Sequence, residues 1–114
     1  MHVRAFKQME AFVGLASKAG AKIVVGSHSD VPHAKRGWAY QRELELLVES
    51  GLTPMQVIQS FSKGASEALG IDKEFGTLAK GKAADLLVLE KNPLENMANM
   101  RSIQTIYLGG KKFE

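Results

Sequence analysis

The feature that most constrains the fold is a short β-branched run, Ile23-Val24-Val25, standing among helical patterns. It is apolar on successive residues, which is typical of a parallel strand covered by helices on both faces. Side chains alternate along a strand, so Val24, Gly26 and His28 are expected to share one face. Because a single strand cannot form a sheet, this segment is expected to belong to a larger assembly of strands.

Two amphipathic helices are predicted on either side of this run. The first covers residues 3–18, stops before Gly20, and carries one apolar stripe made of Phe6, Met9, Val13 and Ala16. The second ends at Gly51 and carries a stripe made of Tyr40, Leu44, Leu47 and Val48.

A third helix has the clearest start signal in the chain. Thr53 is the predicted N-cap, Pro54 occupies the first helical position, and Gln56 completes a capping box. Gly70 is expected to end this helix in a left-handed cap. Its predicted buried stripe consists of Ile58, Phe61, Ala65, Ala68 and Leu69.

The pattern changes to β after residue 70. A strand is predicted from Asp85 to Glu90, followed by an Asn92-Pro93 turn. The final segment predicts a hairpin around Gly109-Gly110, since a two-residue connection of this kind needs positive φ. The fold class is therefore α/β, with residues 1–70 built around one strand and residues 71–114 mostly β.

Composition excludes several classes of function. The chain has 15 basic and 12 acidic residues, a net charge of +3, and its basic residues are dispersed, which argues against nucleic-acid binding. It has no cysteine, so no disulfide or thiolate metal site is expected. No apolar run approaches the ~20 residues that span a membrane, and the N-terminal residues lack the apolar core of a signal peptide. These features predict a cytoplasmic protein.

Three segments, in this order, carry a family resemblance: "ELELLVESGLTPMQVIQ", "GTLAKGKAADLLVLEKNPLE" and "YLGGKKF". The chain resembles the C-terminal part of metal-dependent amidohydrolases, closest to the imidazolonepropionase-like and prolidase-like branches. The resemblance implies a (β/α)8 barrel plus a small β-sandwich assembled from both chain termini. Ile23–Ser27 would then be the last barrel strand, residues 1–70 the terminal βα portion of the barrel, and residues 71–114 the C-terminal strands of the sandwich.

The resemblance also implies a metal site at the carboxyl end of the strands, where barrel enzymes carry out their chemistry. The family holds one or two divalent metals, usually zinc, and an aspartate after the last strand acts as metal ligand and proton shuttle. The usual Gly-Thr/Ser-Asp motif here has His28 in the aspartate position, with Asp30 two residues further on. Strand alternation favours His28, but Asp30 would share its face if the extended geometry continued. Both residues are candidates for the catalytic and metal-binding role.

His33 and Lys35 follow in a segment that borders the active site in the family, and both are candidates for substrate contact. The simpler interpretation of His33 is that it is a solvated loop side chain. The other family ligands, an HxH pair above all, are absent from this sequence. The isolated chain is therefore expected to bind no metal and to be inactive.

The aromatic and the charged residues of the second predicted helix are expected to stabilise the fold and not to take part in catalysis. Trp38 and Tyr40 are expected to anchor the second helix. The charged residues of that helix could form an acid/base cluster, but they are better interpreted as the solvated face of an amphipathic helix. These residues are Arg42, Glu43 and Glu45.

Two functional hypotheses follow. The first is a portion of a hydrolase that cleaves non-peptide or dipeptide-type C–N bonds of a small amide-like substrate through a metal-activated water. The alternative is a non-enzymatic α/β module that acts as a binding or oligomerisation unit. Such a module would bury its strand edges in a homo-oligomer.

Overall fold

The computed structural model describes residues 2–26 and 37–114. These residues form four α-helices, one 3₁₀ helix and three strands. The helices are α1 (His2–Lys18), α2 (Trp38–Glu49), α3 (Pro54–Phe61), α4 (Lys63–Leu69) and the 3₁₀ helix Met97–Arg101, and the strands are β1 (Leu86–Leu89), β2 (Ile103–Leu108) and β3 (Lys111–Phe113). Within the described ranges no helix is long and apolar enough to cross a bilayer.

The core lies between α2, the start of α3 and the 3₁₀ helix. Leu44 and Val57 are fully buried. The remaining buried apolar side chains are Leu47, Leu52, Met97 and Met100. Tyr40 and Val48 pack against this cluster, so the predicted stripe of α2 is confirmed.

Residues 21–26 do not form a strand, which corrects the prediction for Ile23–Ser27 over its described part. A strand requires a hydrogen-bonded neighbour, and every strand of the described sheet lies after residue 85. Ile23 and Val25 nevertheless pack against the core, while Val24 is 45% exposed. Burial on both faces was therefore a wrong prediction, because no described element covers the side that carries Val24.

The first helix forms as predicted, but its apolar stripe is mostly not buried. Val13 packs against the core, and Gly14 approaches Ser50 so closely that an added Cβ would lie 2.2 Å from the Ser50 carbonyl oxygen. Met9, by contrast, is 66% exposed and Phe12 is 71% exposed. Among the described elements α1 packs mainly against α2, and much of its remaining apolar surface is exposed.

The predicted third helix is divided into α3 and α4 at Ser62, which has φ −109° and ψ −89°. The Ser62 hydroxyl donates a hydrogen bond to the Ile58 carbonyl at 2.6 Å, and the backbone N–H of Ser62 reaches the same oxygen. Serine side chains compete for helix carbonyls in this way and bend helices. After the break Ser66 is buried and Ala65 partly buried, whereas Ala68 is exposed and Leu69 is 73% exposed, so the predicted stripe is wrong at its last two residues.

The start of α3 is confirmed in detail. Thr53 Oγ1 accepts a hydrogen bond from the Gln56 N–H at 3.2 Å, and Gln56 Oε1 accepts one from the Thr53 N–H at 2.8 Å.

Replacing Thr53 with alanine is expected to lower the free energy of unfolding by about 1 kcal/mol, since one helix N–H loses its partner. Urea denaturation followed by circular dichroism measures this loss. Thr77→Ala, at an exposed loop position, is the matched control, and an equal loss in both variants would contradict the capping role.

The three strands form one antiparallel sheet in the order β1-β2-β3. Leu86 pairs with Tyr107 and Ile106 pairs with Phe113. Gly109 and Gly110 connect β2 to β3 with φ of 56° and 79°, which confirms the predicted hairpin and its requirement for positive φ. The Asp85 carboxylate accepts a hydrogen bond from the Gly109 N–H at 2.7 Å, tying the start of β1 to this turn.

Gly76 joins the β half of the chain to α4. It has φ +95°, and a Cβ at this position would lie 2.1 Å from Ser66 Oγ and 2.7 Å from Ser66 Cβ. Gly76→Ala is therefore expected to lower the free energy of unfolding by about 2 to 3 kcal/mol, since it combines backbone strain with overpacking. Gly81→Ala is the control, because Gly81 has φ +88° but nothing within 4 Å of the added Cβ. Equal losses in the two variants, measured by urea denaturation, would show that the contact with Ser66 is unimportant.

Candidate functional site

The candidate site residues His28, Asp30, His33 and Lys35 lie outside the described residues. Their roles stay predictions. The structure describes the residues on either side of them, up to Gly26 and from Gly37 onward.

The residues before and after the candidate segment pack against the same hydrophobic core. On one side, Ile23 and Val25 pack against the buried cluster. On the other side, α2 is held by the buried Leu44 and begins after Gly37, which has φ +80° and provides no side-chain cap. The two points from which the candidate segment starts and ends are therefore fixed relative to each other by a common hydrophobic core.

The two aromatic residues at the start of α2 have different environments. The Tyr40 ring packs edge-on against Phe61, with ring centroids 6.1 Å apart and an interplanar angle of 68°. Burial raises the pKa of the Tyr40 hydroxyl. Trp38 is 48% exposed. Tyr40 thus anchors α2 against α3 within the described residues, whereas the expected packing of Trp38 against a barrel wall stays a prediction.

The charged residues of α2 form an ion-pair network. Arg42 contacts Glu49 at 2.7 Å and Glu45 at 3.2 Å, and Glu45 also contacts Arg101 of the 3₁₀ helix. The hydrogen bond from Arg42 holds the pKa of the Glu49 carboxyl below its usual value. The network joins α2 to the 3₁₀ helix at the surface, which supports its interpretation as a solvated charged face rather than an acid/base cluster.

The described residues do not supply a metal-binding set. Within residues 2–26 and 37–114, no three histidine, cysteine, aspartate or glutamate side chains are close enough together to hold a metal ion. A zinc site needs three or four protein ligands. The described part of the chain therefore does not fit the metal that the resemblance implies, and the candidate ligands His28 and Asp30 lie outside it.

A large apolar groove lies between α3 and the sheet. Its volume is about 710 Å³. The walls come from α3, the loop 75–78, both longer strands and the 3₁₀ helix, including Ile58, Phe61, Phe75, Leu78, Leu86, Leu87, Met100 and Ile106. This volume is within the range of small-molecule sites. However, among the described residues that line it, only Lys63 and Asp85 are charged, and the Asp85 carboxylate already accepts a hydrogen bond from the Gly109 N–H. The groove therefore has the character of a packing surface rather than a catalytic pocket.

The groove was not predicted from the sequence, although the sequence of β1 contains a signal for it. The strand β1 has the sequence Leu86-Leu87-Val88-Leu89, which is apolar on successive residues. That pattern is typical of a strand covered on both faces. In the structure Leu87 is 47% exposed, so the described residues do not fully cover one face of this strand.

Comparisons with known proteins agree on one family. Residues 2–112 match the amidohydrolase family. Ochratoxinase from Aspergillus niger is 31% identical over 111 residues, which cover 93% of this chain and 22% of that protein. A Xaa-Pro dipeptidase crystal structure superposes with a TM-score of 0.82 at 28% identity and covers 95% of this chain and 26% of its own. A putative prolidase from Bifidobacterium longum gives a TM-score of 0.81 at 33% identity, with 89% of this chain and 25% of that one covered.

These matches extend over almost the whole chain but over only about a quarter of each relative's structure. They include both the helical half and the sheet, so the mixed α/β arrangement described above corresponds to a portion of amidohydrolase structures. On the match over residues 2–112, the chain belongs to the amidohydrolase family.

Proposed function

We propose that this chain is the C-terminal portion of a hydrolase that cleaves C–N bonds in small amide-like substrates. The observation that carries the proposal is the family match over residues 2–112. The dipeptide type of substrate is favoured by the likeness to a Xaa-Pro dipeptidase and to a putative prolidase, at 28% and 33% identity. In this proposal residues 1–70 complete the barrel and residues 71–114 complete the sandwich.

The chain's contribution to the reaction is one group at the edge of the active site. His28, or alternatively Asp30, would hold the metal and transfer the proton, and either residue type can do both. A divalent metal such as zinc, when bound, would supply a water whose pKa is lowered toward about 7. His33 and Lys35 contact the substrate. The core beneath Ile23, Val25 and Leu44 holds both ends of this segment in place.

The experiment uses the complete polypeptide that contains this chain. The gene is read upstream of Met1, where an HxH pair is expected, and the protein is expressed with zinc. Hydrolysis of Xaa-Pro dipeptides is expected, and a chelator should abolish it until zinc is restored. A gene without an HxH pair, or a metal-loaded protein that cleaves neither dipeptides nor other small amides, would contradict the proposal.

A further inference from the structure

Helix α2 begins without the groups that usually stabilise the start of a helix. Its N-cap is Gly37, which makes no side-chain hydrogen bond, and its first turn contains no acidic residue. Helix starts are usually held by a capping side chain or by acidic residues that interact with the positive end of the helix dipole. The start of α3 has such a cap in Thr53 and Gln56. Because α2 begins where the candidate segment ends, this junction depends on contacts with other elements.

Four ion-paired side chains supply contacts of this kind. Arg101 of the 3₁₀ helix donates a hydrogen bond to one carboxylate oxygen of Glu45, and the other oxygen accepts one from Arg42 at 3.2 Å. Arg42 also donates to both carboxylate oxygens of Glu49, at 2.7 and 3.3 Å. Single exposed ion pairs contribute little to stability, but bidentate pairs and networks are the exceptions. The four residues therefore form one connected network.

The network starts from a fixed point in the β half of the chain. Arg101 is the last residue of the 3₁₀ helix, and Met97 and Met100 of that helix are buried. Both methionines belong to the same buried cluster as Leu44 of α2. Arg101 and Glu45 are 56 residues apart in the sequence. Their ion pair therefore connects α2 to an element that the hydrophobic core already holds in place.

Within α2 the network extends from the turn beside the candidate segment to the end of the helix. The Gln41 N–H makes the first backbone hydrogen bond, to the Gly37 carbonyl at 3.0 Å, and Arg42 follows directly. Glu49 is the last residue of α2. A negative charge at this end is disfavoured by the helix dipole. Its bidentate pair with Arg42 offsets that effect and connects the last turn to the first ones.

We propose that Arg101 is a positioning residue of the hydrolase. It acts through Glu45 and Arg42 to fix the first turns of α2, and with them the point at which the candidate segment joins the helix. The inference rests on the proposed function, in which that segment contributes His28 or Asp30. A misplacement of about 1 Å far from the reacting atoms can slow a reaction about 10²-fold. The position of this junction therefore affects the rate, although Arg101 makes no contact with the substrate.

The test uses the complete polypeptide that contains this chain. Arg101→Ala is expected to lower kcat for a Xaa-Pro dipeptide by about two- to fivefold, the effect of one exposed ion pair. Arg101→Lys should restore kcat, because Arg101 binds Glu45 through a single nitrogen, and an ammonium group can replace it. Arg4→Ala, which removes an exposed arginine of α1, is the matched control and should leave kcat unchanged. The assays are run where circular dichroism shows every variant folded, so a role in stability alone would not change kcat.

A double-mutant cycle tests whether Arg101 acts through Glu45. Glu45→Ala should lower kcat at least as much as Arg101→Ala, since it breaks the contacts of Glu45 with both arginines. The double variant should be no slower than Glu45→Ala. Independent effects would multiply instead.

Hydrogen exchange tests the junction without metal or hydrolysis. Exchange in a peptide covering residues 38–44, measured by mass spectrometry, is expected to be about two- to fivefold faster in Arg101→Ala. A peptide covering residues 54–61 should exchange at the same rate in both proteins, because α3 has its own capping box.

Three results would overturn the inference. These are exchange at residues 38–44 that is the same in Arg101→Ala and Arg4→Ala, effects of Arg101 and Glu45 that multiply, and faster exchange with an unchanged kcat, which would leave Arg101 a structural role only. A complete polypeptide that cleaves no small amide would instead remove the proposed function. The exchange rates would still show in that case whether Arg101 holds the start of α2.

Discussion

Replacing His28 with alanine in the complete polypeptide is expected to lower kcat/KM by about 10²- to 10⁴-fold, the usual contribution of a positioned acid or base. Asp30→Ala should lower kcat/KM by less than tenfold if His28 occupies the position of the family's aspartate. The opposite order would assign the role to Asp30. Steady-state hydrolysis of a Xaa-Pro dipeptide measures both variants, and metal content measured on the same preparations shows whether a ligand has been lost.

His33→Ala is the matched control for this pair of variants, because it removes a histidine from the same segment. As a substrate contact, His33 should affect KM and leave the metal content unchanged. If neither His28→Ala nor Asp30→Ala reduces hydrolysis by tenfold, this segment does not contribute the acid, the base or the metal ligand. The proposed catalytic role of the segment would then be wrong.

Replacing Leu44 with alanine is expected to lower the free energy of unfolding by about 3 to 5 kcal/mol, since it leaves a cavity at a fully buried position. Leu44 lies at the centre of the cluster that supports α2, Ile23 and Val25. Its loss should therefore also loosen both ends of the candidate segment. Urea denaturation gives the loss of stability, and hydrogen exchange at residues 23–26 and 37–40 reports the local effect.

Leu69→Ala provides the comparison, because Leu69 is 73% exposed. Its effect should be within about 0.5 kcal/mol, as for most surface substitutions. Similar losses for Leu44 and Leu69 would mean that the described core is not the main source of stability. A broad, non-cooperative transition in the unchanged chain would mean that it is stable only within a larger protein.

Features that depend on a few neighbouring residues were predictable. The capping box of Thr53 and Gln56, the left-handed Gly70 and the Gly109-Gly110 hairpin all form as the sequence indicated. Each is determined by local hydrogen bonding or by backbone sterics, so no distant partner is needed. The family was also evident in the order of three short segments, and the match over residues 2–112 confirms it.

Features that depend on packing were not predictable in the same way. The stripe that includes Met9 and the stripe that includes Leu69 both satisfied helical periodicity, yet both residues are exposed. Periodicity identifies a face that can be buried, but burial requires a second surface opposite to it. The division at Ser62 was also missed, since a serine can cap, bend or remain within a helix according to its surroundings.

The sequence by itself determined the helix caps, the hairpin and the family, because caps and hairpins depend on neighbouring residues and the family on the order of short segments. Only the tertiary structure decided which apolar residues form a core. It also decided that, among the described residues, the run 23–26 has no strand partner and β1 pairs with β2 alone. The physical reason is that burial and strand pairing are relations between distant segments. An apolar pattern indicates a surface that can be buried, and only the three-dimensional structure shows which of these surfaces are buried.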